Sequence, residues 1–246
     1  MSLSQKNVLV TGSSRGIGKA IAFAFGQAGY RVILNASKSM EELEAAYQEF
    51  KQAGISCHPI LADVSRYEEC IRLFQEAEAV FGEIDVLVNN AGISHIGLFS
   101  DMIPMQWQHI IEVNLYSVFH CTHIALPSMV RKHQGTILNI SSMWGEVGAS
   151  CEAVYAASKG GINSFTKSMA KELGPSQIRV NAISCGVIDT AMNASLSPEE
   201  KQALQDNISL MRFGKATDVA NLAVFLADPK ANYITGQIIT IDGGMI

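Results

Sequence analysis

The sequence predicts an α/β protein, a doubly wound parallel sheet of seven strands with helices on both faces, and three observations predict it. Seven short runs rich in Val, Ile and Leu lack the alternation of a half-exposed strand, which is the pattern of strands covered on both faces. Longer segments of helical period separate them, a βαβα succession. A glycine cluster follows the first run directly and opens the first helical segment.

The predicted strands are Asn7 to Thr11, Arg31 to Leu34, Cys57 to Leu61, Val86 to Asn89, Thr136 to Ile140, Arg179 to Ile183 and Ile238 to Ile241. All seven are expected to be buried. Helices are expected over Ile17 to Ala28, Met40 to Ala53, Arg66 to Phe81, about Pro104 to Arg131, Val154 to Leu173 and Thr217 to Leu226. With right-handed crossovers, ligands bind beyond the carboxyl ends of such strands, so motifs at strand ends matter most. The stretch from Thr190 to Phe213 is polar, charged and Met-containing, and reads as a helical lid at about 190–213.

Composition narrows the function classes. The 246 residues, 48% hydrophobic, suffice for one large core, and no repeat or Pro-rich linker divides them, so residues 1–246 are expected to form a single domain. A formal charge of −5, from 18 basic and 23 acidic residues without a basic block, argues against nucleic-acid and anionic-membrane partners. No apolar stretch reaches the roughly 18 residues of a membrane span. No basic segment leads into a long apolar one near the start, and the expected location is the cytoplasm. Five cysteines, Cys57, Cys70, Cys121, Cys151 and Cys185, lie scattered without CxxC spacing, as reduced thiols do. His120 and His123 stand one helical turn apart, but the sequence places no third ligand, so no catalytic metal is expected.

Thr11-Gly12-Ser13-Ser14-Arg15-Gly16-Ile17-Gly18 joins strand to helix. Its glycines permit a tight turn and close backbone approach, and the new helix's unpaired amides attract a pyrophosphate. The spacing is GxxxGxG rather than GxGxxG. The second strand ends in Leu34-Asn35-Ala36-Ser37-Lys38, without the carboxylate that holds an adenosine 2′-hydroxyl. Arg15 and Lys38 offer positive charge where a 2′-phosphate would sit, which predicts NADPH over NADH.

After the fifth strand comes Asn139-Ile140-Ser141-Ser142, and thirteen residues past Ser142 stands Tyr155-Ala156-Ala157-Ser158-Lys159 in a helical pattern. At i and i+4 a phenol and an ammonium are neighbours, and the cation is expected to lower the Tyr155 pKa from about 10 toward working pH. Carbonyl reduction needs a proton on oxygen and a hydrogen-bond donor for the developing alkoxide; Tyr155 and Ser142 suit these roles.

These motifs resemble the short-chain dehydrogenase/reductase family from Asn7 to the end: TGSSRGIG, Asp63-Val64, NNAG at Asn89, Asn114, Ser142 and YxxxK at Tyr155 stand in family order. The resemblance implies a Rossmann-type fold and a catalytic tetrad of Asn114, Ser142, Tyr155 and Lys159. A main-chain kink at Asn114 would there hold a water that links the lysine to solvent. Implied cofactor contacts are Gly12, Ser14, Arg15, Gly16, Ile17, Gly18, Asn35, Ser37, Asp63, Val64, Asn90, Ala91, Gly92, Tyr155, Lys159, Gly186, Ile188 and Thr190, with Asn89 bracing the sheet. Cys185 stands where the family commonly has proline. Members of this type usually form tetramers, so a homotetramer is expected.

Within the family the chain is similar to the 3-oxoacyl-carrier-protein reductases, which implies ketone reduction by NADPH. Those enzymes dock their carrier through basic residues on two helix ends beside the active-site mouth. Here Arg131 and Lys132 match one end, while Gly174-Pro175-Ser176-Gln177 leaves the other uncharged. The segment from Met143 to Glu152 also resembles a branch that reduces an aminopentanone group on bacterial elongation factor P, where Glu146 and Glu152 would favour a cation. Met102, Met105, Met129, Met143 and Met192 serve equally as pocket lining or core filler. Two other classes remain, a non-enzymatic NADP-binding regulator and a structural oligomerisation module; the ordered tetrad disfavours the first and the glycine turn the second.

Overall fold

A computed structural model describes residues 5–191 and 197–246. Seven strands, β1 (Asn7–Val10), β2 (Arg31–Ala36), β3 (Cys57–Leu61), β4 (Val86–Asn89), β5 (Gly135–Ser142), β6 (Ile178–Cys185) and β7 (Ile238–Ile241), form one sheet in the order β3-β2-β1-β4-β5-β6-β7. Every neighbouring pair is parallel. The chain winds outward from β1 toward β3, then returns to β4 on the other side. The ends of β1 and β4 therefore face a crevice that no crossover fills.

Alternate side chains of each central strand enter different cores. Val8, Val10, Val32, Leu34, Val86 and Val88 pack with α1 (Gly16–Gln27), α2 (Met40–Gln52) and α9 (Ala216–Ala227). Leu9, Ile33, Leu87, Ile137 and Val180 pack with α3 (Tyr67–Phe81), α5 (Ser117–Lys132) and α7 (Ala153–Leu173). A strand that must be apolar on both pleats reads as an unbroken apolar run. Each fully buried Val or Leu contributes about 1.5–3 kcal/mol. The two edges depart from the expectation of uniform burial, because β3 and β7 each have one neighbour and are only partly covered. Pro59, which cannot donate to a ladder, accordingly sits on an edge strand.

The long helix expected from Pro104 to Arg131 is not continuous. It comprises α4 (Pro104–Ile111), a π turn over Glu112–Tyr116 and α5, a break that apolar periodicity does not register. A short helix, α6 (Trp144–Val147), has no counterpart in the sequence pattern; it is one turn long, too short to carry a period. In the expected lid, α8 (Pro198–Asp206) starts on a capping box between Ser197 and Glu200. Its base is tied down by Asp189 N to Gly214 O (2.8 Å) and Leu210 N to Gly243 O (3.1 Å). Met192 lies outside the described residues. No helix among the described residues is long and apolar enough to cross a membrane.

Candidate active site

The glycine turn is built by hydroxyl and amide braces. Ser13 Oγ donates to Val10 O (2.8 Å) and accepts from Asn35 N (2.9 Å), while Gly12 N donates to Asn35 Oδ1 (3.2 Å). Asn35 Nδ2 donates to Ile60 O and Ala62 O, so this buried amide locks β1 to β3 across β2. Asn35, expected among the cofactor contacts, thus has its side-chain donor and acceptor engaged by the scaffold beside the turn. Thr11 Oγ1 accepts from Asn90 N and Ala91 N, both at 3.0 Å, and Asn90 Nδ2 donates to Thr11 O and Gly12 O. The bracing roles of Thr11 and Ser13 escaped the sequence reading, although small hydroxyls inside a glycine turn are the signal for them.

This turn fits a dinucleotide. Gly12 and Gly16 have φ of +62° and +58°, and a Cβ on Gly18 would lie 2.3 Å from both Asn90 Nδ2 and Gly12 O. Among the described residues no side chain caps α1, since Arg15 makes no cap bond, so the positive end of the helix is presented to a pyrophosphate. Ser14 and Ile17 are half-buried within the same turn. Thr190 faces it: a Cβ on Gly16 would stand 3.9 Å from Thr190 Cγ2. Ser37 and Lys38 are exposed past the end of β2, and Arg15 reaches Glu42 of α2 at 3.1 Å. Asp63 Oδ1 accepts from Ser65 N and Oγ, and Val64 O from Cys70 Sγ and His120 Nδ1, fixing the wall where an adenine would lie.

Across the crevice the tetrad residues converge. Asn114 is fully buried in the π turn, where Oδ1 accepts from Ile93 N (2.8 Å) and Nδ2 donates to Ile93 O (2.9 Å) and Ser158 Oγ (3.1 Å). Ser158 Oγ donates in turn to Tyr155 O (2.7 Å). Lys159 Nζ donates to Ile140 O (2.9 Å) and lies 5.6 Å from the Tyr155 ring centroid. A Cβ on Gly92 would sit 3.5 Å from both Lys159 Nζ and Asn114 Oδ1, so Gly92 lies directly against the ammonium and the amide. Ser142 lies near enough to the Tyr155 phenol to favour its ionised form. Gly186 packs directly on Asp242, since a Cβ on this glycine would lie 2.5 Å from Asp242 Cα, and Ile188 is buried beside it. Cys185 stays in the β6 ladder, and its carbonyl accepts from Met143 N (3.0 Å).

One electrostatic expectation is overturned. Burial pushes the Tyr155 phenol up to about 12, opposed by Ser142 and reinforced by Cys185 and Glu152. Desolvation likewise brings the Lys159 ammonium down to about 8. In the protein alone, the cost of burying the phenolate outweighs the favourable charge one turn away.

Three further residues sit elsewhere than expected. Arg131 pairs with Glu83, and Lys132 with Asp85 (3.2 Å) and Ile84 O; these acids precede β4, so both bases lie at the foot of the sheet and not beside this crevice. Glu146 accepts from Ser184 Oγ (2.5 Å) and Thr240 Oγ1 (3.0 Å), tying α6 to β6 and β7 instead of facing a ligand. Glu152 does border the site, where Oε2 accepts from Ser94 Oγ (2.5 Å). His123 Nδ1 is spent on the Tyr67 hydroxyl at 2.8 Å, and no group of three metal-ligating side chains occurs among the described residues. Asn89 Nδ2 donates to Asn139 Oδ1 (2.9 Å) and Thr122 Oγ1, joining β4, β5 and α5 as the expected brace.

The chain is similar to known proteins. The family model described as Enoyl-(Acyl carrier protein) reductase matches residues 12–246. The 3-oxoacyl-(acyl-carrier-protein) reductase FabG of Staphylococcus aureus is 44% identical over 240 residues, covering 98% of each chain. That of Aquifex aeolicus is 40% identical over 99% of this chain and 98% of its own. A crystal structure described as a putative gluconate dehydrogenase from Agrobacterium tumefaciens superposes with a TM-score of 0.95 at 35% identity, covering 99% of this chain and 96% of that one. With the glycine turn, the parallel sheet and the Asn-Ser-Tyr-Lys cluster in place, the chain belongs to the short-chain dehydrogenase/reductase family of oxidoreductases.

Proposed function

We propose that this protein is an NADPH-dependent reductase that converts a ketone to a secondary alcohol, in the manner of the 3-oxoacyl-carrier-protein reductases, and works as a homotetramer. The observation that carries the reading is the Tyr155 phenol, with Ser142 acting on it from β5 and Lys159 adjoining its ring one helical turn away, at the crevice that the glycine turn closes. When bound, the dinucleotide supplies the hydride. Ser142 and Tyr155 then orient the carbonyl oxygen, and Tyr155 gives it the proton. A phenol held protonated suits that task. Lys159, held between Ile140 O and Gly92, would stabilise the phenolate left behind and would be the residue to hold the ribose of a bound nicotinamide; Asn114 fixes the strand-end segment facing them. Arg15 and Lys38, with no carboxylate at the end of β2, support NADPH, although a 2′-phosphate must compete with Glu42 for Arg15.

A second reading is favoured by the charges at the mouth. Arg131 and Lys132 stand at the far end of the protomer in ion pairs, and Glu152 borders Tyr155 with no ion-pair partner among the described residues. Such a rim suits a ketone that carries an ammonium, as the aminopentanone group on elongation factor P does, better than an acidic carrier. The test is NADPH consumption with a 3-oxoacyl carrier protein and with the aminopentanone-modified factor, for wild type and Tyr155→Phe. Turnover of the first supports the main reading and of the second the alternative, with a loss of at least about 100-fold in Tyr155→Phe. NADPH binding without turnover of either ketone favours a non-enzymatic NADP-binding regulator, and turnover unaffected in Tyr155→Phe refutes the proton-donor role of Tyr155.

A further inference from the structure

The segment 93–97, which leaves the end of β4, bridges two tetrad-bearing elements. At one end both main-chain groups of Ile93 are held by the Asn114 side chain. At the other, Ser94 Oγ donates to Glu152 Oε2 (2.5 Å) and Gly97 N donates to Cys151 O (2.9 Å). Cys151 adopts φ +63°, a conformation non-glycine residues rarely take, and it turns the chain so that Glu152 stands immediately before α7. There its carboxylate has no ion-pair partner among the described residues. Tyr155 follows three residues later, on the same face one turn along, where a carboxylate and a phenolate are like charges.

We propose that Glu152 is a positioning residue for Tyr155: through Ser94 it clamps the first turn of α7 to the 93–97 segment, and its charge keeps Tyr155 a proton donor. This rests on the reductase reading for its use, though not for its test. The groups that act on the Tyr155 phenol are Ser142 from β5, Cys185 from β6 and Glu152 at the start of its own helix, with the Lys159 ammonium 5.6 Å from its ring centroid. Among these only the thiol of Cys185 and the carboxylate of Glu152 oppose ionisation, and burial holds the thiol neutral, pushed up to about 12. Glu152 is thus the one standing negative charge of that set.

The isosteric Glu152→Gln keeps an acceptor for Ser94 and removes only the charge. In saturating NADP+, the onset of tyrosinate absorbance, measured for each protein against its Tyr155→Phe counterpart over the pH range where it stays folded, is expected to move down by roughly one pH unit. The alkaline fall of the reductive rate should move with it. Ser94→Ala keeps the charge and breaks the clamp, so kcat should fall several-fold with KM little changed and no downward move of the onset. An unmoved or raised onset in Glu152→Gln overturns the electrostatic role, and an unchanged kcat in Ser94→Ala overturns the clamp. Failure of wild type to reduce any ketone would instead defeat the proposed function, and the absorbance titration would still decide this inference.

Discussion

Replacing Gly18 by alanine separates steric from conformational roles of glycine in the phosphate turn. The new methyl would lie 2.3 Å from Asn90 Nδ2 and 2.3 Å from Gly12 O, about 1 Å inside ordinary contact at 3.4 Å. Gly12 O is backbone and cannot swing aside, and Asn90 Nδ2 is held by Thr11 O and Gly12 O at 2.9 and 3.0 Å. Relief requires the start of α1 to part from the turn. Overpacking of this kind costs about 1–3 kcal/mol, and loss of the two Asn90 bonds adds about 0.5–1.5 kcal/mol each. The sum, about 2–6 kcal/mol, corresponds in a chain of this size to a Tm lowered by roughly 5–20 °C. Gly29 is the control: it has φ +89° with nothing within 4 Å, so alanine there meets only the left-handed cost of about 1–2 kcal/mol. Thermal melts together with NADPH titration read both effects. Gly18→Ala should melt below Gly29→Ala and bind NADPH at least tenfold more weakly, whereas Gly29→Ala should bind as wild type does. If Gly18→Ala bound NADPH normally and melted no lower than the control, the close approach of turn, Asn90 and helix would not be what the glycine serves.

The buried ammonium makes a signed prediction about pH. Lys159 falls from 10.5 unfolded to about 8 folded, so between those values the unfolded chain holds more protons and stability rises with pH. Tyr155, raised from 10.0 to about 12, contributes stability that is complete below pH 10 and lost above it. From pH 7.5 to 9.5 wild type should therefore gain Tm relative to Lys159→Met, and a constant difference between their melts would contradict the burial of the charge. For cofactor choice, Arg15→Ala combined with Lys38→Ala should raise KM for NADPH about tenfold or more while leaving that for NADH nearly unchanged. Equal effects on both cofactors would remove these side chains from 2′-phosphate recognition.

How far the site was legible depends on the range of each interaction. Gly12, Gly16 and Gly18 could be read because a turn that joins strand to helix is local. Tyr155 and Lys159 could be read because helical spacing alone makes them neighbours, and Ser142 because it ends a strand whose carboxyl end must face the crevice. The roles of Asn35 and Glu146 could not, since each depends on partners 22 to 94 residues away that the strand order brings together. Arg131 and Lys132 resembled a docking patch in one dimension, yet the direction of α5 carries them to the foot of the sheet beside Glu83 and Asp85.

By itself, then, the amino-acid order determined the strands, most of the helices, the glycine turn and the grouping of Ser142, Tyr155 and Lys159, because backbone period, turn chemistry and short spacings are properties of neighbours along the chain; Asn114 came only from the family resemblance. Only the tertiary structure decided the π form of the kink that the family resemblance implies at Asn114, the commitment of Asn35 and Glu146 to the scaffold, the link from Ser94 to Glu152 and the raised phenol of Tyr155. Those are consequences of desolvation and of contacts between distant segments, and both come into being only when the sheet and its helices close around the site.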